Sequence, residues 1–132
     1  MSFLLDTDTC SAHLKQKGNL THRFLQFMGR LHVSVITLGE LYTWALRAKA
    51  SPQRLQNLED LLNDVQVLEV TQEIARRFGE VRAALFDAGT SVPEMDLMIA
   101  ATALVHNLTI VTHNVQDYAN VPGLTIDDWL VP

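Results

Sequence analysis

Cysteine is almost absent from this chain of 132 residues. Cys10 stands alone, so no internal disulfide can form and nothing points to an oxidising compartment. The opening Met1-Ser2-Phe3-Leu4-Leu5-Asp6 has neither the basic start nor the long apolar run of a secretory signal. No stretch approaches the roughly 20 apolar residues of a transmembrane helix. The expected location is the cytoplasm, with no membrane partner. Cations are missing from a long part of the chain: every Lys and Arg falls between Lys15 and Arg82, and the charged residues beyond are Asp87, Glu94, Asp96, Asp117, Asp127 and Asp128. The net charge of −5 therefore hides a first stretch, up to Arg82, with 10 cations and 9 anions. An acidic protein is a poor default partner for nucleic acid, because phosphate binding rests on cationic surface. That objection fails if several acids converge on a metal ion, which reverses the local charge and attracts phosphate. A Cys and His cluster of the zinc type is also lacking, since His13, His22, His32, His106 and His113 are scattered. Only His113 lies beside the acids considered below.

What is present is ordinary globular material, 48% apolar and 19% charged. The length suits one domain over residues 1–132, large enough to bury a core without staples. Short β-branched runs alternate with stretches of helical period, which predicts an α/β fold with a five-stranded, mainly parallel sheet flanked by helices. The strands are expected at Phe3 to Leu5, His32 to Ile36, Val65 to Val70, Leu108 to Val111 and Leu124 to Ile126, each short and apolar as in a covered parallel sheet. Helical spacing joins Leu38, Leu41, Tyr42, Ala45 and Leu46, and again Leu55, Leu58, Leu61 and Leu62 after a Ser51-Pro52 start. A third helix runs from a Thr71 cap to Gly89, and a fourth from about Glu94 to His106 behind Pro93. Asn120-Val121-Pro122-Gly123 reads as a turn.

Four acids stand just after strands or at helix starts. Asp6 follows the first strand, and in open α/β sheets ligands sit outside the carboxyl ends of strands; it equally suits a cap on the next helix. Glu40 follows the second strand, three residues after Thr37, the spacing of a capping box. Asp96 opens the apolar helix Met95 to Leu104, where the macrodipole favours a carboxylate but burial demands a partner or a metal. Asp117 follows the fourth strand, and nearby Asn114 offers a neutral oxygen for the same place. Acids that converge at one end of a sheet suit Mg²⁺, a hard cation held by a few carboxylates, several waters and substrate phosphate.

At these residues the chain resembles the PIN-domain family, and within it the VapC-type toxins of toxin–antitoxin pairs, over nearly its whole length. Leu4-Leu5-Asp6-Thr7-Asp8 resembles the family's opening strand and first acid, and Ser34-Val35-Ile36-Thr37-Leu38-Gly39-Glu40-Leu41 the segment carrying its Glu. Gly89 to Ala101, GTSVPEMDLMIAA, resembles the segment holding the third acid. Val111-Thr112-His113-Asn114 with Asp117-Tyr118 and Val121-Pro122-Gly123-Leu124 is similar to the final motif. The four occur in the family's order and spacing. Many members carry Asp where this chain has Asn114, which leaves Asp117 as the fourth acid or leaves the place unfilled.

The resemblance implies a Mg²⁺- or Mn²⁺-dependent endoribonuclease, with Asp6, Glu40, Asp96 and Asp117 as catalytic and metal-binding residues, direct or through water. Asp8 would contact the metal through water or hold the first loop. Arg47 and Lys49, expected beyond Glu40 on the same helix, would steer RNA phosphate or stand as ordinary exposed cations. The implied partners are RNA, a VapB-like antitoxin whose tail covers the site, and a second copy in a homodimer. Two other readings compete. Leu4 to Thr9 also resembles the opening of haloacid-dehalogenase-type phosphatases, but those and phospho-receiver domains need a downstream Lys, and the last Lys here is Lys49. Receiver domains further want an acceptor Asp where Thr71 stands. A catalytically inactive PIN-like binding module is the second alternative, which divalent-ion binding discriminates.

Overall fold

The structure, a computed structural model, describes residues 1–131, so the last position of the expected 1–132 unit lies outside the described residues. In chain order the elements are β1 (Phe3–Leu5), α1 (Thr7–Leu14), α2 (Thr21–Gln26), β2 (Leu31–Ser34), α3 (Val35–Ala45), α4 (Pro52–Leu62), β3 (Gln66–Leu68), α5 (Gln72–Asp87), α6 (Glu94–His106), β4 (Thr109–Val111), α7 (Val115–Tyr118) and β5 (Ile126–Asp127). The five strands form one sheet in the order β3-β2-β1-β4-β5, and every pairing is parallel.

All five expected strands exist, but their ends are set by helix caps. The second was expected to reach Ile36, yet it stops at Ser34, whose Oγ accepts the Ile36 N–H at 3.1 Å and starts α3. A good N-cap contributes about 1 kcal/mol, enough to overrule the β preference of Val35 and Ile36. The third was expected over Val65 to Val70 and spans only Gln66–Leu68; Thr71 caps α5 as predicted, its Oγ1 accepting the Ile74 N–H at 3.2 Å. Gly89 ends that helix at φ +71, a left-handed conformation that suits glycine. The last strand shifts from Leu124–Ile126 to Ile126–Asp127, because the turn at Pro122-Gly123, with Gly123 at φ +78, extends before pairing sets Ile110 beside Ile126. The helices α1 and α2 between β1 and β2 carry too few apolar repeats for periodicity to have announced them.

Side chains alternate across the sheet. Phe3 and Leu5 join Leu31, Val33 and Val111 in a core with Cys10, Phe24, Leu41 and Leu58, so α1 to α4 cover one face. Leu4 and Ile110 point the other way, into Val81, Leu85, Leu97, Ile99 and Tyr118 on α5, α6 and α7. Each such fully buried Leu, Ile or Phe contributes roughly 1.5–3 kcal/mol. This two-sided burial makes the strand ends rigid anchors for whatever follows them. The chain steps from β1 to β2 and β3 on one side, then crosses to β4 and β5 on the other. The reversal lies between β1 and β4, and in open α/β sheets ligands sit in the crevice at the carboxyl ends of the strands at such a point.

Candidate active site

Asp6 and Thr112 are the first residues past the two strands that flank this crevice. Asp6 is the N-cap of α1, with φ −73 and ψ 163, and its Oδ1 accepts the Thr7 N–H at 2.8 Å. Its Oδ2 accepts the Thr112 hydroxyl at 2.9 Å. Capping and a place in the crevice, set out above as alternatives, hold together. Asp6 is only 4% exposed. Burial, and then the neighbouring charge of Asp8, push its carboxyl up to about 6, against the opposing effect of its hydrogen bonds from Thr7 and Thr112.

Asp8 reaches the loop after β4 and accepts the backbone N–H groups of His113 at 2.9 Å and Asn114 at 3.2 Å. It thereby ties the first loop to the last motif. His113 itself is exposed, its Nδ1 2.9 Å from Asp128 Oδ2.

The capping box expected around Glu40 does not form. Ser34 is the N-cap, Thr37 is buried inside the first turns of α3, and exposed Glu40 reaches across to α1 instead. Its Oε1 accepts the Thr7 hydroxyl at 2.6 Å, and Thr7 Oγ1 lies 3.1 Å from Thr37 Oγ1. One threonine thus links the residue after Asp6 to Glu40.

Asp96 sits in the first turn of α6, half-buried. Its carboxyl is raised above the ordinary range by desolvation first, then by the charges of Asp117, Glu40 and Asp8 in that order. Such repulsion disfavours the charged form of Asp96 and makes it a candidate site residue. Asp117 is exposed on the short α7, of which Asn114 is the N-cap without a side-chain capping bond. Arg47 and Lys49, expected on the Glu40 helix, lie instead in the exposed turn after α3, which ends at Ala45.

Three residues of this site were not singled out from sequence: Thr7, Thr112 and Tyr118. Periodicity cannot flag a residue just past a three-residue strand, and the only signal was that all three lie inside the motif segments. Tyr118 is fully buried, and its hydroxyl has no hydrogen-bond partner. It nevertheless stands against Asp6 and Asp96, whose charges, after desolvation, push the phenol well above its ordinary range. The contact is close electrostatic proximity short of a formed hydrogen bond.

The assembled donors are carboxylate oxygens and hydroxyls, which suit a hard divalent cation and not zinc. Among the described residues, no three of the Asp, Glu, His and Cys side chains close on one point as a complete cage. Asp96 instead feels the charges of Asp117, Glu40 and Asp8, and a looser set of acids suits Mg²⁺ best, since it takes one or two carboxylates and keeps several waters. The buried Tyr118 hydroxyl stays without a hydrogen-bond partner, which is rare for a buried polar group.

The model of the PIN domain matches residues 3–124. The tRNA(fMet)-specific endonuclease VapC of Salmonella typhimurium is 35% identical over 130 residues, covering 98% of each chain. Its counterpart in Shigella flexneri is 32% identical with the same coverage. Among solved structures, DNA-bound VapBC from Salmonella typhimurium superposes with a TM-score of 0.92 at 34% identity, covering 98% of both chains. VapBC-1 from nontypeable Haemophilus influenzae gives 0.85 at 27% identity, covering 99% of this chain and 100% of that one.

Proposed function

The chain belongs to the PIN-domain family, and from that membership we propose that it is a divalent-metal-dependent endoribonuclease, the toxin of a toxin–antitoxin pair. PIN-domain nucleases as a class depend on divalent metal; for this chain the proposed ion is Mg²⁺, with Mn²⁺ able to substitute. One observation supports the reading: Asp96 is raised by the charges of Asp117, Glu40 and Asp8, from three other segments, while Asp6 stands with Asp8 and Thr112 at the switch between β1 and β4.

Asp6 and Asp96 are proposed as the direct ligands, with Glu40 and Asp117 acting directly or through water. When bound, the ion lowers the pKa of water and stabilises charge on the phosphodiester oxygens. The residues do the rest. Thr112 and the Thr7 N–H hold the Asp6 carboxylate in one orientation, and the Thr7 hydroxyl holds Glu40. Asp8 pins the loop that carries Asn114 and leads to Asp117. Arg47 and Lys49, in the exposed turn after α3, are proposed as cations that steer RNA phosphate.

The substrate class is RNA, and the name of the Salmonella relative makes initiator tRNA the first to test. The VapBC neighbours suggest a VapB-like antitoxin as partner. A homodimer acting in the cytoplasm completes the proposal. Among the described residues, no helix is long and apolar enough to cross a membrane. Exposed Phe86 and Met95 leave apolar surface for association.

The test is cleavage of tRNA(fMet) and of total cellular RNA by purified, antitoxin-free protein in Mg²⁺ or Mn²⁺. Discrete products are expected, abolished by EDTA and by Asp96→Asn. Asp117→Asn should slow cleavage about 10- to 100-fold, and Asn114→Ala much less. Cleavage that survives Asp96→Asn rejects the site. Absence of cleavage by a folded, ion-binding protein shifts the reading to the inactive binding module, the alternative that Asn114 in an acid's place favours.

A further inference from the structure

His113 is the exposed aromatic ring of the segment Thr112 to Tyr118, in which Tyr118 is fully buried. Two acids from opposite ends of the chain hold it. Its backbone N–H donates to Asp8 Oδ2 at 2.9 Å, and its ring Nδ1 lies 2.9 Å from Asp128 Oδ2. An ionised carboxylate only accepts, so Nδ1 is the donor. Asp128 is itself fixed, because its Oδ1 accepts the Leu130 N–H at 2.9 Å and its own N–H donates to Asp127 Oδ1. The Asp128 side chain is 13% exposed and that of His113 57%. The anchor is largely covered, and the ring stands out from it.

Its place in the chain sets it beside the acids. Thr112, one residue before, donates to Asp6 Oδ2 at 2.9 Å, and Asn114, one residue after, opens the short helix that carries Asp117. A polar pair this exposed adds little to stability, so fastening the loop does not account for an aromatic ring held outward. RNA that reaches this loop meets no cation from the same part of the chain, since no Lys or Arg follows Arg82. A nucleobase, in contrast to a phosphate, offers a flat face that needs no positive partner. Unpaired bases stack on Phe, Tyr, Trp or His side chains, and a ring already fixed loses little freedom when a base lands on it.

We propose that His113 is an RNA-binding residue: clamped by Asp128, its ring receives an unpaired nucleobase next to the phosphate that the acids cleave. The inference rests on the reading of those acids as a nuclease site, and deepens it by naming single-stranded or looped RNA as the substrate class. Stacking tolerates any base, so the ring adds affinity and places the strand without selecting a sequence.

The experiment measures binding of a fluorescently labelled, single-stranded RNA of random sequence by anisotropy in Mn²⁺, with each variant built on Asp96→Asn so that the probe stays whole. Urea unfolding and Mn²⁺ titration of the same position-113 variants, with Asp96 intact, run alongside. His113→Ala and His113→Asn are expected to bind the RNA about fivefold or more weakly, and His113→Phe to recover most of that loss. Mn²⁺ affinity and unfolding midpoints should stay at their starting values throughout. Equal RNA affinity in His113→Ala overturns the proposal. Binding kept by His113→Asn and lost by His113→Phe shows a polar contact instead of stacking and overturns it too. So does an RNA affinity that falls only in step with Mn²⁺ affinity or stability, which marks the ring as a structural latch. The nuclease reading is judged separately, on the chain with Asp96 intact: RNA that stays uncut there, yet binds in a ring-dependent way, rejects the nuclease and upholds the RNA contact.

Discussion

The Thr112 hydroxyl donates to Asp6 Oδ2 at 2.9 Å, joining the ends of β4 and β1 across the point where the strand order reverses. Thr112 Oγ1 also accepts the Asn114 N–H at 3.1 Å, so one buried hydroxyl both orients the first acid and shapes the loop leading to Asp117. Thr112→Val keeps the shape and removes the oxygen. It should lower stability by about 1–3 kcal/mol, the usual effect of leaving a buried acceptor short of its donor, and reduce RNA cleavage more than that loss explains. Denaturant unfolding alongside single-turnover cleavage checks both; a stable, fully active Thr112→Val removes Thr112 from the site.

Asp6 makes folding pH-dependent in a calculable direction. Its folded-state pKa is raised from 3.8 to about 6, so the folded protein holds this proton more tightly than the unfolded chain does. The resulting stability is fully present below about pH 4 and is lost as pH rises through about 6, a total near 3 kcal/mol. Asp6→Asn has no such charge to bury. In EDTA, the stability of Asp6→Asn relative to wild type should therefore increase between pH 4 and pH 7 by up to about 3 kcal/mol. A saturating divalent ion should shrink the difference, since the ion favours the carboxylate of the wild type. Urea midpoints measured across that range decide the matter, and a gap that stays flat with pH rejects the assigned shift.

Glu40 separates structure from chemistry cleanly. A capping-box glutamate, once mutated, would lower helix stability by roughly 1 kcal/mol and leave catalysis alone. The observed Glu40 is exposed and bonded to Thr7 of α1. Glu40→Gln is accordingly expected to change stability by less than about 0.5 kcal/mol while abolishing most cleavage. Loss of stability with normal cleavage is the opposite result, and it returns Glu40 to a capping role.

Much of the fold was legible in the chain because local chemistry dictates it. Thr71 and Gly89 bracket α5 as expected, and Pro93 stands immediately ahead of α6. Where the reading slipped, two local signals conflicted. Val35 and Ile36 read as strand, but Ser34 supplied a cap and the helix won. The same slip hid the fate of Glu40, because a start at Thr37 makes a capping box and a start at Ser34 does not. Arg47 and Lys49 were likewise carried too far along α3, since no stop signal as strong as glycine marks its end.

By itself the sequence determined the parallel α/β class, the four acids and their order along the chain, because β-branched runs, caps and apolar periods act over a few residues. It also held the motif segments by which the PIN family is recognised. Only the tertiary structure decided which charges bear on Asp96, that Asp6 caps a helix while accepting the Thr112 hydroxyl, and that Asp8 latches His113 and Asn114. These are relations between residues up to 106 positions apart. They are fixed by strand register and two-sided burial, which no local pattern encodes.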